Sequence, residues 1–172
     1  MMTDLEVCNW ALRKIGEEPV ETLEDNSSLA LSCKAQLQPL HSSLLRRFDW
    51  SFATFCYYLS PLEQEDDGQW IYPLPRDCLR ILKPQNPLLR GLMLYSSMEE
   101  FLALTFIKKV KIEDCDPLYC EVLACKLALE VCVQARENEG LKNSLIRDFE
   151  VAWDNAVLSS SKERQGEPIY YD

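Results

Sequence analysis

The sequence predicts a mainly α, α+β fold: an antiparallel bundle of about four helices with a small antiparallel β insertion between the second and third long helices. Three observations predict it. Leu29, Cys33, Leu37, Leu40, Leu44 and Phe48 recur at steps of three and four, which places them on one stripe of a long helix. Two later stretches repeat that periodicity, through Leu118, Val122, Cys125, Leu129 and Cys132, and through Leu141, Leu145, Phe149, Ala152, Trp153 and Ala156. Between them, from Thr54, the period shortens to alternating runs such as Phe55, Tyr57 and Leu59. The expected layout is a single domain over residues 1–160, with helices at 3–16, 26–50, 116–138 and 140–160, a β insertion at 54–112, and a C-terminal tail at 161–172.

The first helix has Thr3 as its cap and Glu6 three residues on to complete a capping box, with Met2 placed to staple against Val7. Arg13 and Lys14 suit the negative helix end, and Gly16 supplies a left-handed stop. In the second helix Asn26 or Ser27 is the cap, and Ser32, Gln36, Ser43 and Arg47 form the polar side. Pro39 deletes one backbone hydrogen bond and predicts a kink between Ala35 and Pro39 in a helix that otherwise continues. The helix runs into Phe48, Trp50 and Phe52, an aromatic knot expected to join helices to sheet.

Within the insertion, strands are expected near 55–59, 69–72, 79–82, 89–95 and 101–110, with Ser97 to Leu104 alternatively a short helix. Glu63 to Gly68 reads as an acidic turn, and Pro73-Leu74-Pro75 as a rigid corner. Asp116 caps the third helix, with Pro117 in its first turn. That helix is apolar over most of its circumference, so its spare side reads as a subunit interface. Gly140 breaks to the fourth helix. The tail joins a polar spacer to Ile169-Tyr170-Tyr171, which reads either as disordered or as a docking segment.

The net charge of −10 argues against a surface that grips nucleic acid through Lys and Arg. The charge is uneven. Arg76 to Lys111 holds seven basic and three acidic residues, about +4, which leaves about −14 for the rest. This segment reads as an ordinary solvated face or as a basic patch, including Lys108, Lys109 and Lys111, for an acidic partner or a neighbouring copy. The apolar run Leu118 to Val133 is too short for a membrane span, and the first residues lack a secretory pattern, so a protein made and kept in the cytosol is expected. The 8 cysteines lack CxxC spacing, and Cys8, Cys33, Cys125 and Cys132 sit on helical stripes, so reduced structural thiols are expected.

No catalytic, cofactor-binding or metal-ligating residues can be assigned. His41 has no carboxylate or thiol beside it in sequence and reads as a surface or capping residue. The carboxylates of Glu63, Glu65, Asp66 and Asp67 lack the pattern of a calcium loop and read as a solvated turn. Trp50, Trp70 and Trp153 lie in apolar patterns and read as core.

A set of landmarks in order resembles one family. They are Lys14-Ile15-Gly16 closing the first helix, Leu44-Leu45 before Trp50-Ser51-Phe52-Ala53, and Trp70-Ile71-Tyr72 leading into Leu74-Pro75-Arg76-Asp77-Cys78-Leu79-Arg80. Leu104-Thr105-Phe106-Ile107-Lys108-Lys109-Val110 and then Asp116-Pro117-Leu118-Tyr119, opening a helix with Leu127-Ala128, complete the set. From about Leu5 to Val157 the chain resembles the head-to-tail adaptors of tailed phages, related to tail tubular protein A and the tail accessory factors. Pro39 and the segment from Pro84 to Met98, which fits the family's Gly-containing hairpin poorly, depart from the pattern.

The resemblance implies a structural virion protein, made in the bacterial cytoplasm, that forms a homo-oligomeric ring beneath the portal protein and docks the next tail protein. DNA would pass nearby without sequence-specific binding, and neither cofactor nor membrane is implied. Lys108, Lys109, Lys111, Ile169, Tyr170 and Tyr171 are the expected partner-binding residues. Some relatives are credited with glycan or peptidoglycan hydrolysis, which is the alternative; a helical protein-interaction module is the third reading.

Overall fold

The computed structural model describes residues 1–25, 27–98, 100–132 and 138–163, together with the backbone of 169–171. Helix α1 (Asp4–Lys14) carries the expected capping box, with Thr3 and Glu6 bonded reciprocally, and stops at Gly16 with φ +79°. Helix α2 (Ser28–Arg47) is capped by Ser27, whereas Asn26 lies outside the described residues. Pro39 stays inside α2 on its exposed side. The carbonyl that loses its partner there belongs to Ala35, an exposed residue, where the cost of the missing bond is lower than in the core.

Asp116 caps α3 (Pro117–Val131) by accepting from the Leu118 N–H at 2.7 Å, and the helix ends at Val131 rather than near 138. The expected continuation through 133–137 lies outside the described residues. Asn138 caps α4 (Glu139–Ser160), so Gly140 falls in its first turn instead of breaking the chain before it. Helix α3 packs on α1, α2 and α4, which bury Tyr119, Val122, Leu123, Cys125, Leu127 and Val131, while Leu118 and Leu129 are half-buried. Most of the apolar surface expected to meet another subunit is thus covered within the chain, apart from Leu129, which lines a hollow beside α4.

The β region corrects the sequence reading. The strands are not a small antiparallel insertion in a helical bundle; they form two four-stranded sheets. Sheet A contains β1 (Thr54–Leu59), β4 (Cys78–Lys83), β7 (Leu102–Lys108) and β8 (Ile169–Tyr171), in the order β4-β7-β1-β8. Sheet B contains β2 (Glu63–Gln64), β3 (Trp70–Pro73), β5 (Leu88–Arg90) and β6 (Met93–Ser96), in the order β2-β3-β6-β5. Every pairing is antiparallel except that of β8, which runs parallel to β1. Among the described residues of 97–104 the chain bends and then enters β7 at Leu102, with no helix.

The physical reason is a second core. Alternation in β1 and β7 sends Tyr57, Leu59, Leu102, Leu104 and Phe106 to one side, where they meet Tyr72 and Leu94 of sheet B. Those side chains are enough to hold two sheets face to face. The opposite face of sheet A contributes Ile107, and partly Leu79 and Leu82, to the larger helical core. Sheet A is thus the middle layer of the molecule.

Trp50 closes the larger core where α2 passes into β1. Its ring is 0% exposed and its indole N–H donates to the Leu44 carbonyl at 3.0 Å. Phe48, Tyr119 and Trp153 meet it edge-on with centroids 5.1, 5.1 and 5.4 Å away, and Phe52 stacks at 5.9 Å. Trp50→Ala is expected to cost about 3–5 kcal/mol in urea unfolding, because it leaves a cavity and unpairs the Leu44 carbonyl. A variant as stable as the parent would show that this joint carries little of the fold.

Candidate functional site

His41, Lys109 and Lys111 lie on one side of the helix–sheet joint, where β7 ends and the chain crosses to α3, whereas the Lys108 side chain, the acidic turn and residues 169–171 lie elsewhere. His41 is the largest correction there. It is neither at the surface nor a cap, but 1% exposed, between α2, α3 and the segment after β7. Its Nε2 lies 2.8 Å from the Val110 carbonyl, which can only accept, so Nε2 carries the proton. Nδ1 lies 2.9 Å from the Tyr119 hydroxyl, which is also 3.0 Å from the backbone carbonyl of His41. The hydroxyl donates to that carbonyl, and in the neutral ring the unprotonated Nδ1 competes with it for the same hydroxyl hydrogen. Both nitrogens are engaged, so His41 is an internal tie rather than a base facing solvent.

Val110 also lines an open hollow of about 440 Å³ with Asp4, Gln38, Lys109, Lys111, Ile112 and Glu113. Lys109 and Lys111 are exposed at its rim, free to meet a partner, with Asp4 and Glu113 opposing their charge. Lys108 points elsewhere. Its Nζ donates to the Tyr57 hydroxyl at 3.1 Å and pairs with Asp77 at 3.3 Å, above the Phe55 ring at 5.0 Å. The Tyr57 hydrogen bond and the Asp77 carboxylate hold its pKa above the ordinary lysine value despite partial burial. Lys108 thus ties β7 to β1 and to the turn before β4, and its charge is spent inside the chain.

Other cations of the 76–111 segment are also engaged. Arg80 pairs with Asp49 and Arg90 with Glu65, so acids from outside the segment neutralise part of its excess. The acidic turn forms an open hollow of about 540 Å³ with Ile71 and Arg90. A third hollow, of about 600 Å³, lies between α3 and α4, where Arg47 sits 4.7 Å over Trp153 beside Leu129 and Phe149. Among the described residues no group of His, Cys, Asp or Glu is arranged to hold a metal ion. No described helix is long and apolar enough to cross a membrane.

The expected tail residues are placed by backbone alone. Ile169, Tyr170 and Tyr171 pair with Tyr57, Tyr58 and Leu59, so this segment adds a strand to the edge of the chain's own sheet A. The end of α4 is fastened nearby, where the Ser51 N–H donates to Ser160 Oγ at 2.8 Å. Residues 164–168 of the tail lie outside the described residues.

Two predictions follow from these side chains. Burial pushes the His41 pKa below its ordinary value, outweighing the Val110 hydrogen bond and Asp4 and Glu113, while Lys109 acts in the same direction as burial. Its contribution to stability is then fully present above about pH 6.5, the unfolded value, and falls as the pH drops toward the folded pKa. Urea unfolding between pH 8 and 5 should show a steeper loss for the parent than for His41→Gln; equal slopes would count against a neutral buried ring. Lys108→Ala should cost about 1 kcal/mol, whereas Lys109→Ala and Lys111→Ala stay within about 0.5 kcal/mol. Equal effects of all three on unfolding would deny Lys108 its internal role.

Comparison of the sequence with models of known protein families and with curated proteins gives no match.

Proposed function

We propose that this protein is a structural head-to-tail adaptor of a tailed phage or prophage, acting as a ring beneath the portal. The observation that carries this reading is the position of the resemblance's landmarks in the fold. Trp50-Ser51-Phe52, Asp77 to Arg80, Lys108 to Val110 and Asp116 to Tyr119 are far apart in sequence but meet around one joint. Trp50 touches Tyr119, Asp77 pairs with Lys108, Arg80 with Asp49 next to Trp50, and Val110 and Tyr119 share His41. A set of residues that holds a helical layer to a sheet is what an adaptor needs to keep its docking faces at fixed angles.

The surface chemistry supports the same reading. With a net charge of −10, DNA can pass the molecule without being held. The exposed Lys109 and Lys111 suit an acidic neighbour. In the glycan hydrolase alternative, the carboxylates of the acidic turn would do the chemistry, but Glu65 is paired with Arg90.

The test is docking. Purified portal rings mixed with the protein and imaged by cryo-electron microscopy should gain a ring of added density on the tail-facing side. Peptidoglycan incubated with the protein should stay intact. Bare portal rings at saturating protein would overturn the adaptor reading, and glycan turnover would replace it with the hydrolase.

A further inference from the structure

A strand at the edge of a sheet offers unpaired N–H and C=O groups to any other chain, and proteins blunt such edges with charge, brevity or cover. Three of the four outer strands here use charge or brevity. β2 is two residues long and carries Glu63, and β5 carries Arg90. β4 carries Arg80 and Lys83, and Arg46 donates to its Leu79 carbonyl. The fourth, β8, lies over β1, which has neither safeguard. Thr54-Phe55-Cys56-Tyr57-Tyr58-Leu59 holds six residues without a charge, a glycine or a proline, and three of them are aromatic. Short uncharged strands of this composition are the ones that pair most readily with a second copy of themselves.

One edge of β1 is paired with β7 along its whole length, and the other meets β8 through Tyr57–Ile169, Tyr58–Tyr170 and Leu59–Tyr171. The cover fits its own chain. The Ser51 hydroxyl donates to the Glu163 carboxylate, and six residues further on along both segments Tyr57 meets Ile169. That matching step lets the continuation of α4 reach β1 within one subunit. The hold is slight, because β8 is three residues long and runs in the parallel sense, the less stable one per residue. A strand so short stays in place through its tether, which gives it an effective concentration in the millimolar range.

We infer that β8 is an autoinhibitory strand, occupying an edge of β1 that otherwise pairs antiparallel with β1 of a second copy. A second copy is the occupant this edge fits, because β1 supplies the same uncharged six-residue surface to both sides of a two-fold contact. Up to six antiparallel pairs then replace three parallel ones, so the pairing between copies is the stronger once the tether is gone. Release of β8 converts a self-contained sheet A into one that continues across two subunits. The inference does not depend on the adaptor reading.

The experiment compares the full-length protein with a chain ending at Glu163, by sedimentation velocity at rising concentration and by hydrogen exchange. The truncated chain should keep the parent's helical circular dichroism and cooperative melt, but self-associate at concentrations about tenfold lower or more. Amides of Thr54–Leu59 should exchange about tenfold more slowly in its oligomers than in its monomers. A synthetic peptide of residues 164–172 at millimolar concentration should return it to monomer, whereas the same peptide carrying Ile169→Ser, Tyr170→Ser and Tyr171→Ser should not. A truncated chain that stays monomeric would overturn the inference, as would oligomers in which β1 exchanges as fast as in the monomer. A native peptide without effect on the oligomers would also count against it. Should the truncated chain unfold, β8 is part of the fold rather than a cover over it, and the inference fails.

Discussion

The burial of Trp50 at the passage from α2 to β1 is the constraint on which the other contacts depend. One ring without solvent contact touches side chains from α3 and α4 and from both sides of the passage, and its single N–H is satisfied by the last turns of α2. An indole of this size can be buried only where its polar atom finds a partner, so its position fixes the angle at which α2 hands the chain to sheet A. Polar ties then act around it. Arg46 reaches the Leu79 carbonyl, Arg80 reaches Asp49, His41 reaches Val110, and Ser160 reaches Ser51. Each tie links the helical layer to the sheet or to its connections, and each is short in space but long in sequence.

This arrangement explains how a chain with open, charged hollows can have well-defined surfaces. The larger core holds the four helices against one face of sheet A, and the smaller core holds sheet B against the other. What remains outside is a rim of Lys109 and Lys111 on one side and the uncovered ends of sheet B. A rigid body with edges of fixed direction is suited to repeating contacts around an axis, and a flexible one is not.

The helices were legible because caps and apolar stripes are local. Thr3 with Glu6, and Asp116 with Pro117, state their starts within four residues. The stripe of α2 was read slightly off its true line: Leu37, His41, Leu44 and Leu45 face the core, while Leu40 and Phe48 are half-buried. His41 lies four residues from Leu37 and four from Leu45, and that spacing was the available signal for a buried histidine. Its partners, Val110 and Tyr119, are 69 and 78 residues away and could not be read locally. The internal ties of Lys108 were not legible for a similar reason, because the Asp77 and Tyr57 that meet it arrive through sheet pairing. The two sheets were underestimated because their strands span two to seven residues, too few for alternation to reveal a second core. The β5–β6 hairpin turns at Gly91 with φ +63°, a turn that short, weakly alternating strands did not announce.

The central physical claim is that the helical layer and both sheets form one cooperative body joined at Trp50. Native-state hydrogen exchange in low urea tests this most directly, by comparing the slowest amides of α3 with those of β1 and β7. The account predicts that these amides converge on one opening free energy and one urea dependence, as for a single unfolding unit. Sheet amides that exchange through a separate, lower-energy opening while α3 stays protected would contradict it, and would make the joint a hinge between two independent layers.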